Sequence, residues 1–154
     1  MHIGYDIDGV LTRRDATQFS LRGARFLAGI AVKYFPGIVR KWTLSQPLQN
    51  DIEIAREFAK HHTISIITAR PPALHLHTEK WLSEVAKIEY NHLYCVGLES
   101  GFGDRKLDIA KQVGIDVFLD DTEDTIETFR KNGLDARLFT SWKDIEQTLL
   151  REVL

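Results

Sequence analysis

The chain has 154 residues, 44% of them hydrophobic and 27% charged, with a formal net charge of −2. This is enough chain for one domain with a real core, and the balance is that of a globular protein. A single cysteine, Cys95, excludes a disulfide framework or a cysteine-based metal site within the chain. No apolar stretch reaches membrane-spanning length, and the start reads as a strand rather than a signal peptide, so the expected location is cytoplasmic.

Residues 2–7 read as a first strand, which runs into Asp6-Ile-Asp8-Gly9-Val-Leu-Thr12. Two aspartates at i and i+2 of a strand share a face. Buried there, two bare carboxylates repel each other, and a metal or a proton relieves them. An aspartate can also serve as a nucleophile. The plain alternative is a strand that ends in an Asp-Gly turn.

Residues 13–47 break the pattern. This segment carries seven Lys or Arg and one Asp, a net +6, against a net −8 for the remainder. A cationic segment on an anionic chain points to an anionic substrate, partner or surface. Arg22 to Phe35 has helical spacing, with Phe26, Leu27, Ile30, Ala31 and Tyr34 on one face and Arg22, Arg25 and Lys33 on another. Pro36-Gly37 interrupts it, and Ile38 to Trp42 forms a second short piece. The segment is too short for an independent domain, so the chain reads as one domain, 1–154, with a small insert at about 13–47.

Strand and helix then alternate. Strands are expected at 63–68, 92–97, 116–120 and 135–139, and helices at 48–61, 73–86, 105–113, 122–132 and 141–152. Pro71-Pro72 suits a helix start, Gly114 and Asn132-Gly133 suit helix ends, and Ser141 suits an N-cap. The alternation implies an α/β fold: a Rossmann-like parallel sheet with helices on both faces. Such sheets bind ligands at the carboxyl ends of their strands. At those ends lie Asp6 and Asp8, then Thr68-Ala69-Arg70, then Asp120-Asp121.

This rim suits phosphoryl transfer. Mg2+ prefers oxygen ligands and keeps several waters; Asp6, Asp120 and a backbone carbonyl near Asp8 are candidate ligands. Asp6 would attack phosphorus, and Asp8 would act as general acid and then general base. Thr68 would hydrogen-bond a phosphate oxygen, and Lys106 would hold Asp6 and phosphate as a point charge. In isolation, Lys106 reads better as a solvated lysine at a helix start. Ala69, Arg70 and Arg13 are candidate substrate contacts, although Arg70 fits equally as a cap on a carboxylate of its own motif and Arg13 fits a solvated turn. His61-His62 and His75-x-His77 lack partner ligands and read as surface or packing residues. Trp81 and Trp142 read as core on the side away from the rim.

Asp6-Ile-Asp8-Gly-Val-Leu-Thr12 resembles motif I of the haloacid dehalogenase (HAD) superfamily. Ile66-Ile67-Thr68-Ala69-Arg70 resembles motif II, Lys106 falls at motif III, and Val117-Phe-Leu-Asp120-Asp121 with Asp124 resembles motif IV. The resemblance spans essentially the whole chain. It implies a Mg2+-dependent phosphohydrolase with an aspartyl-phosphate intermediate, in which Asp8 marks a phosphatase and Asp120 is a direct metal ligand. Asp121 and Asp124 would act through water or hydrogen bonds to the phosphate loop. The insert would be a helical C1-type cap. Thr68-Ala-Arg-Pro71 and Leu119-Asp-Asp-Thr-x-Asp124 are similar to the 5'-deoxyribonucleotidase-like group, which implies a nucleoside monophosphate substrate.

The expected activity is thus hydrolysis of a small anionic phosphate ester, with no nucleic acid polymer as partner. Two alternatives stand beside it. One is a phosphatase of a lipid-linked phosphate, working at a membrane surface through the basic insert. The other is a non-catalytic protein of this fold that uses the insert for binding. The insert itself reads as a cap, a homodimer contact or a membrane-facing helix.

Overall fold

The computed structural model describes residues 1–13, 30–31, 33–97 and 101–153. Five strands form one parallel sheet: β1 (His2–Tyr5), β2 (Thr63–Thr68), β3 (His92–Cys95), β4 (Val117–Asp120) and β5 (Asp135–Leu138). Their spatial order is β3-β2-β1-β4-β5. Register is fixed by pairs such as Tyr5 with Ile66 and Tyr5 with Leu119. β1 is central, and the chain winds outward from it in both directions. The order reverses between β1 and β4, which is where a parallel sheet opens a crevice at its carboxyl edge.

Both faces of the sheet are covered, as the near-continuous apolar strands require. On one face, Ile64 and Ile66 of β2 and Leu119 of β4 pack with Ile52 and Ala55 of α2 (Ile52–His61) and with Trp142, Ile145 and Leu149 of α6 (Trp142–Val153). On the other, Ile67 and Phe118 pack with Leu107 and Ala110 of α4 (Phe102–Val113) and with Ile126 and Phe129 of α5 (Glu123–Lys131). Successive residues thus serve opposite layers: Ile66 and Ile67 in β2, Phe118 and Leu119 in β4. Gly4 breaks the run of bulky strand residues because a Cβ there would overlap Ile115 and Phe118 beneath α4.

Helix ends follow the expected signals, with local shifts. Ser141 Oγ accepts from Asp144 N at 3.2 Å, the N-cap bond. Gly114 and Gly133 have φ of 71° and 78° and terminate their helices in left-handed turns. The helix expected at 48–61 starts later, at Ile52, because Leu48 and Gln49 are held in a bridge to the segment after β1. The helix expected at 73–86 is composite: a 3-10 turn at Pro72–Leu74, α3 at His75–Trp81, then a π turn at Leu82–Ala86 that ends on Lys87 at φ 50°. The helix expected at 105–113 starts earlier, at Phe102.

Of the insert, residues 30, 31, 33 and 34 are helical, and α1 (Pro36–Leu44) follows after a break at Phe35. Pro36 sits in the first turn of α1, where its missing N–H costs nothing. The remainder of the expected Arg22–Phe35 helix, including Arg22, Arg25, Phe26 and Leu27, lies outside the described residues. No helix among the described residues is long and apolar enough to cross a membrane.

Candidate functional site

The carboxyl ends of β1, β2 and β4 gather the charged side chains. Asp6 directly follows β1 and continues its pairing, with Asp6 N donating to Leu119 O at 3.1 Å. Its Oδ1 accepts from Ile7 N at 2.6 Å. Its Oδ2 accepts from Lys106 Nζ at 2.6 Å, and the same ammonium donates to Asp120 Oδ2 at 2.7 Å. Asp120 Oδ1 in turn accepts from Thr122 N at 2.9 Å. One lysine therefore bridges two carboxylates that the sequence separates by 114 positions.

Lys106 is 1% exposed and its Nζ lies 5.9 Å from the centre of the Phe118 ring. It is no solvated helix-start lysine. The second turn of α4 turns it inward under the sheet edge, where its four-carbon stem packs and its charge meets acids. Burial works against that charge, but Asp6 and Asp120 outweigh it and raise the ammonium's pKa above its ordinary value. Asp6 shows the reverse balance. Burial, the largest influence, pushes its carboxyl up, Lys106 pulls it down and Asp120 and Asp8 push it up, so that the balance lies at about 6.

Asp8, two residues on, faces a different cation. Arg70 Nε and Nη2 donate to its two carboxylate oxygens at 3.0 and 2.8 Å, a fork-on-fork pair. Burial disfavours the guanidinium, yet Asp8 more than compensates, and the Arg70 pKa is raised. The Arg70 guanidinium is 5.4 Å from the ring centre of Trp81. Asp8 keeps 31% of its side chain exposed, so the two aspartates differ: Asp6 is sealed in and Asp8 opens to solvent. Thr68 is fully buried, and its Oγ1 accepts from Arg70 N at 3.3 Å while keeping a hydrogen to donate. Ala69 is half-buried beside it.

The loop after Asp6 is wound tightly. Val10, Leu11 and Thr12 all donate backbone N–H to Ile7 O, at 3.2, 2.9 and 3.0 Å. Gly9 has φ of 89°, and a Cβ on it would overlap the Asp121 carboxylate. The glycine is needed both for its backbone angle and for that close approach. Gly9→Ala is expected to lower unfolding stability by about 2–4 kcal/mol, read as a shift in urea midpoint; an unchanged midpoint would show that the loop relaxes freely.

Two residues hold this loop from outside. Gln49 Nε2 donates to Gly9 O and Thr12 O at 3.0 and 3.1 Å. Trp142 Nε1, on α6, donates to Val10 O at 3.0 Å. Sequence reasoning did not find Gln49, and no local pattern marks it, because its partners are 37 and 40 positions away. The placing of both tryptophans away from the rim needs correction. Each is core, but Trp81 offers its ring face to the Arg70 guanidinium and Trp142 donates its N–H to the loop.

The other site candidates stand further out. Arg13 lies at the neck of the insert: its N donates to Pro47 O at 3.0 Å, and its Nη1 reaches Asn50 Oδ1 at 3.4 Å. Asp121 Oδ1 accepts from Thr122 Oγ1 at 3.3 Å, and Asp124 is exposed in the first turn of α5. Asp121, Asp124, Leu138 and Phe139 line a cleft of about 440 Å³ beside the rim. A cleft of about 480 Å³ at the β3 edge contains none of the rim carboxylates. His61 pairs with Glu57 and His75 with Glu79, both at the surface.

Among the described residues, no three His, Cys, Asp or Glu side chains form a ready metal cage. Mg2+ does not require one, since it binds through one or two carboxylates and keeps its waters. Asp6, Asp8, Asp120 and Asp121 face Lys106 and Arg70, which leaves a formal excess of two negative charges at the rim. A divalent cation fits that excess and that donor set.

No family model and no curated protein matches the chain. Solved structures do. A hydrolase from Streptococcus pneumoniae is similar at a TM-score of 0.61 and 15% identity, over 96% of this chain and 97% of that one. A HAD family enzyme from Bacteroides thetaiotaomicron, crystallised as a magnesium complex, gives 0.59 and 12% over 90% and 92%. A HAD-superfamily hydrolase of subfamily IA from Geobacter sulfurreducens gives 0.58 and 13% over 88% and 86%. The five-stranded parallel sheet and its two helical layers are thus the fold that the HAD-family hydrolases share.

Proposed function

We propose that this protein is a Mg2+-dependent phosphomonoesterase that works through an aspartyl-phosphate on Asp6. The observation that carries the reading is the pairing of two unlike aspartates at the sheet's switch point: Asp6, sealed against Lys106 and Asp120, and Asp8, exposed and aimed by Arg70. A nucleophile needs a fixed, oriented carboxylate, and an acid/base needs access to the leaving oxygen and to water.

Asp6 Oδ attacks phosphorus and forms an acyl-phosphate as the ester oxygen leaves. Asp8, in its protonated form, gives that oxygen its proton. Asp8 then takes a proton from water, which attacks the acyl-phosphate, frees Asp6 and releases inorganic phosphate. Thr68 donates to a phosphate oxygen, and Lys106 balances charge on Asp6 and on the transferred group. Arg70 serves as a positioning residue for Asp8, and Ala69 borders the phosphate position. Asp6, Asp120 and the Asp8 carbonyl would hold Mg2+, with Asp121 and Asp124 supporting through water. The ion supplies neutralisation of the phosphate and of the crowded carboxylates.

The substrate is a small phosphate ester, with nucleoside monophosphates first on the screen because of the motif II and motif IV sequences. Purified protein with Mg2+ is expected to release p-nitrophenol from p-nitrophenyl phosphate, to lose this with EDTA, and to regain it with added Mg2+. Asp8→Asn should slow turnover by about 10²–10⁴-fold. Wild-type turnover in Asp8→Asn would remove Asp8 from the mechanism.

A further inference from the structure

The insert's described part leaves an apolar surface in water. α1 turns Val39 and Thr43 inward, and this leaves Ile38 69% exposed. Just ahead of α1, Tyr34 and Phe35 are 63% and 57% exposed. α3, against which α1 packs, exposes Leu76 by 76%. Large apolar side chains exposed in one short segment mark an interaction site rather than the ordinary scatter of a soluble surface.

Within the insert's described part the charge is one-sided, whereas Leu76 has Glu79 beside it on α3. Lys33, Arg40 and Lys41 are exposed in the same segment, and Lys33 Nζ lies 5.5 Å from the Tyr34 ring centre. The sequence has no acidic residue between Asp15 and Asp51, although the whole chain is net negative. On α1, Ile38 and Lys41 are about 60° apart around the helix axis, so one approach engages both.

We propose that this surface docks on an anionic phospholipid bilayer, with Tyr34, Phe35 and Ile38 at the headgroup boundary and Lys33 and Lys41 on the lipid phosphates. Aromatic rings and basic side chains around an exposed aliphatic residue are the groups that lie in that boundary. A second copy of this chain fits worse. A two-fold contact through the patch would set these cations against their own copies, with no acid in the segment to separate them. The proposal does not depend on the phosphatase reading, because its test measures binding and not turnover.

The full chain is expected to co-sediment with phosphatidylcholine vesicles containing about 30% phosphatidylglycerol, and to bind pure phosphatidylcholine at least about tenfold more weakly. Phe35→Ser/Ile38→Ser and Lys33→Gln/Lys41→Gln should each lower the partition coefficient by about tenfold or more. Both doubles alter exposed positions, and circular dichroism verifies their fold. Equal binding to both vesicle types, or doubles that bind like wild type, would overturn the proposal. So would wild type that fails to sediment with anionic vesicles, whether monomeric or, by light scattering, a dimer that Phe35→Ser/Ile38→Ser dissociates.

Discussion

Lys106→Met is expected to cost about 3–5 kcal/mol of unfolding stability, the usual result of removing one partner from a buried ion cluster. The methionine refills the volume and keeps the contact with Phe118, so lost packing contributes little. What remains is Asp6 and Asp120, both buried, with the ammonium that bridged them gone. Urea unfolding in EDTA measures the effect. The double variant Lys106→Met/Asp120→Asn should recover part of it, because one of the two stranded charges is then neutral. A loss below about 1 kcal/mol would mean that the carboxylates take up protons or water at little cost.

Asp6→Asn is expected to abolish phosphatase turnover while making the metal-free protein more stable. The activity loss follows from the amide's failure as a nucleophile. The stability gain follows from burial, the largest of the influences that raise the folded Asp6 pKa to about 6. The sign is that of a group whose proton is held more tightly when folded. Below about pH 4 the carboxyl is protonated in both states and costs nothing; above about pH 6 it is ionised in both, and the full penalty applies. Asp6→Asn should therefore exceed wild type by on the order of 1–3 kcal/mol at pH 7, and the gap should close as pH falls from 6 to 4. Paired urea titrations at pH 7 and pH 4.5 check this. A variant less stable than wild type at pH 7 would show that the Lys106 ion pair outweighs burial. Retained turnover would remove Asp6 as the nucleophile.

The sequence carried most of the site because its residues sit at strand ends, and strand ends are legible. Asp6, Thr68 and Asp120 each close a short β-branched or apolar run, and a parallel sheet brings such ends together. Lys106 was placed near the site by motif order, but its burial was not readable, since a lysine near a helix's start looks the same whether it points out or in. Arg70 had two readings, a substrate phosphate or a carboxylate of its own motif, and the structure instead forks it on Asp8 of motif I. Gln49 and Trp142 were invisible as loop supports for another reason. Each donates to backbone carbonyls far away in sequence, and a carbonyl leaves no signature in the residue that owns it. Helix starts at 48 and 105 shifted because tertiary bonds at Gln49 and the turn at Gly101 decided them, not propensity.

The neck of the insert has a consequence for how such a chain can change. Arg13 and Pro47 are bonded backbone to backbone, Thr12 bridges Leu48, and Gln49 N donates to Leu11 O at 2.9 Å. The segment thus leaves and rejoins the sheet at one fastened neck, and beyond it α1 rests on α3 and sets Leu44 against the core. Away from the residues that make those contacts, its length and chemistry can drift without moving Asp6 or Asp120, because the join fixes the geometry and the loop-closure cost of a longer segment grows only slowly. Reaction and recognition then become separately heritable parts of one small protein.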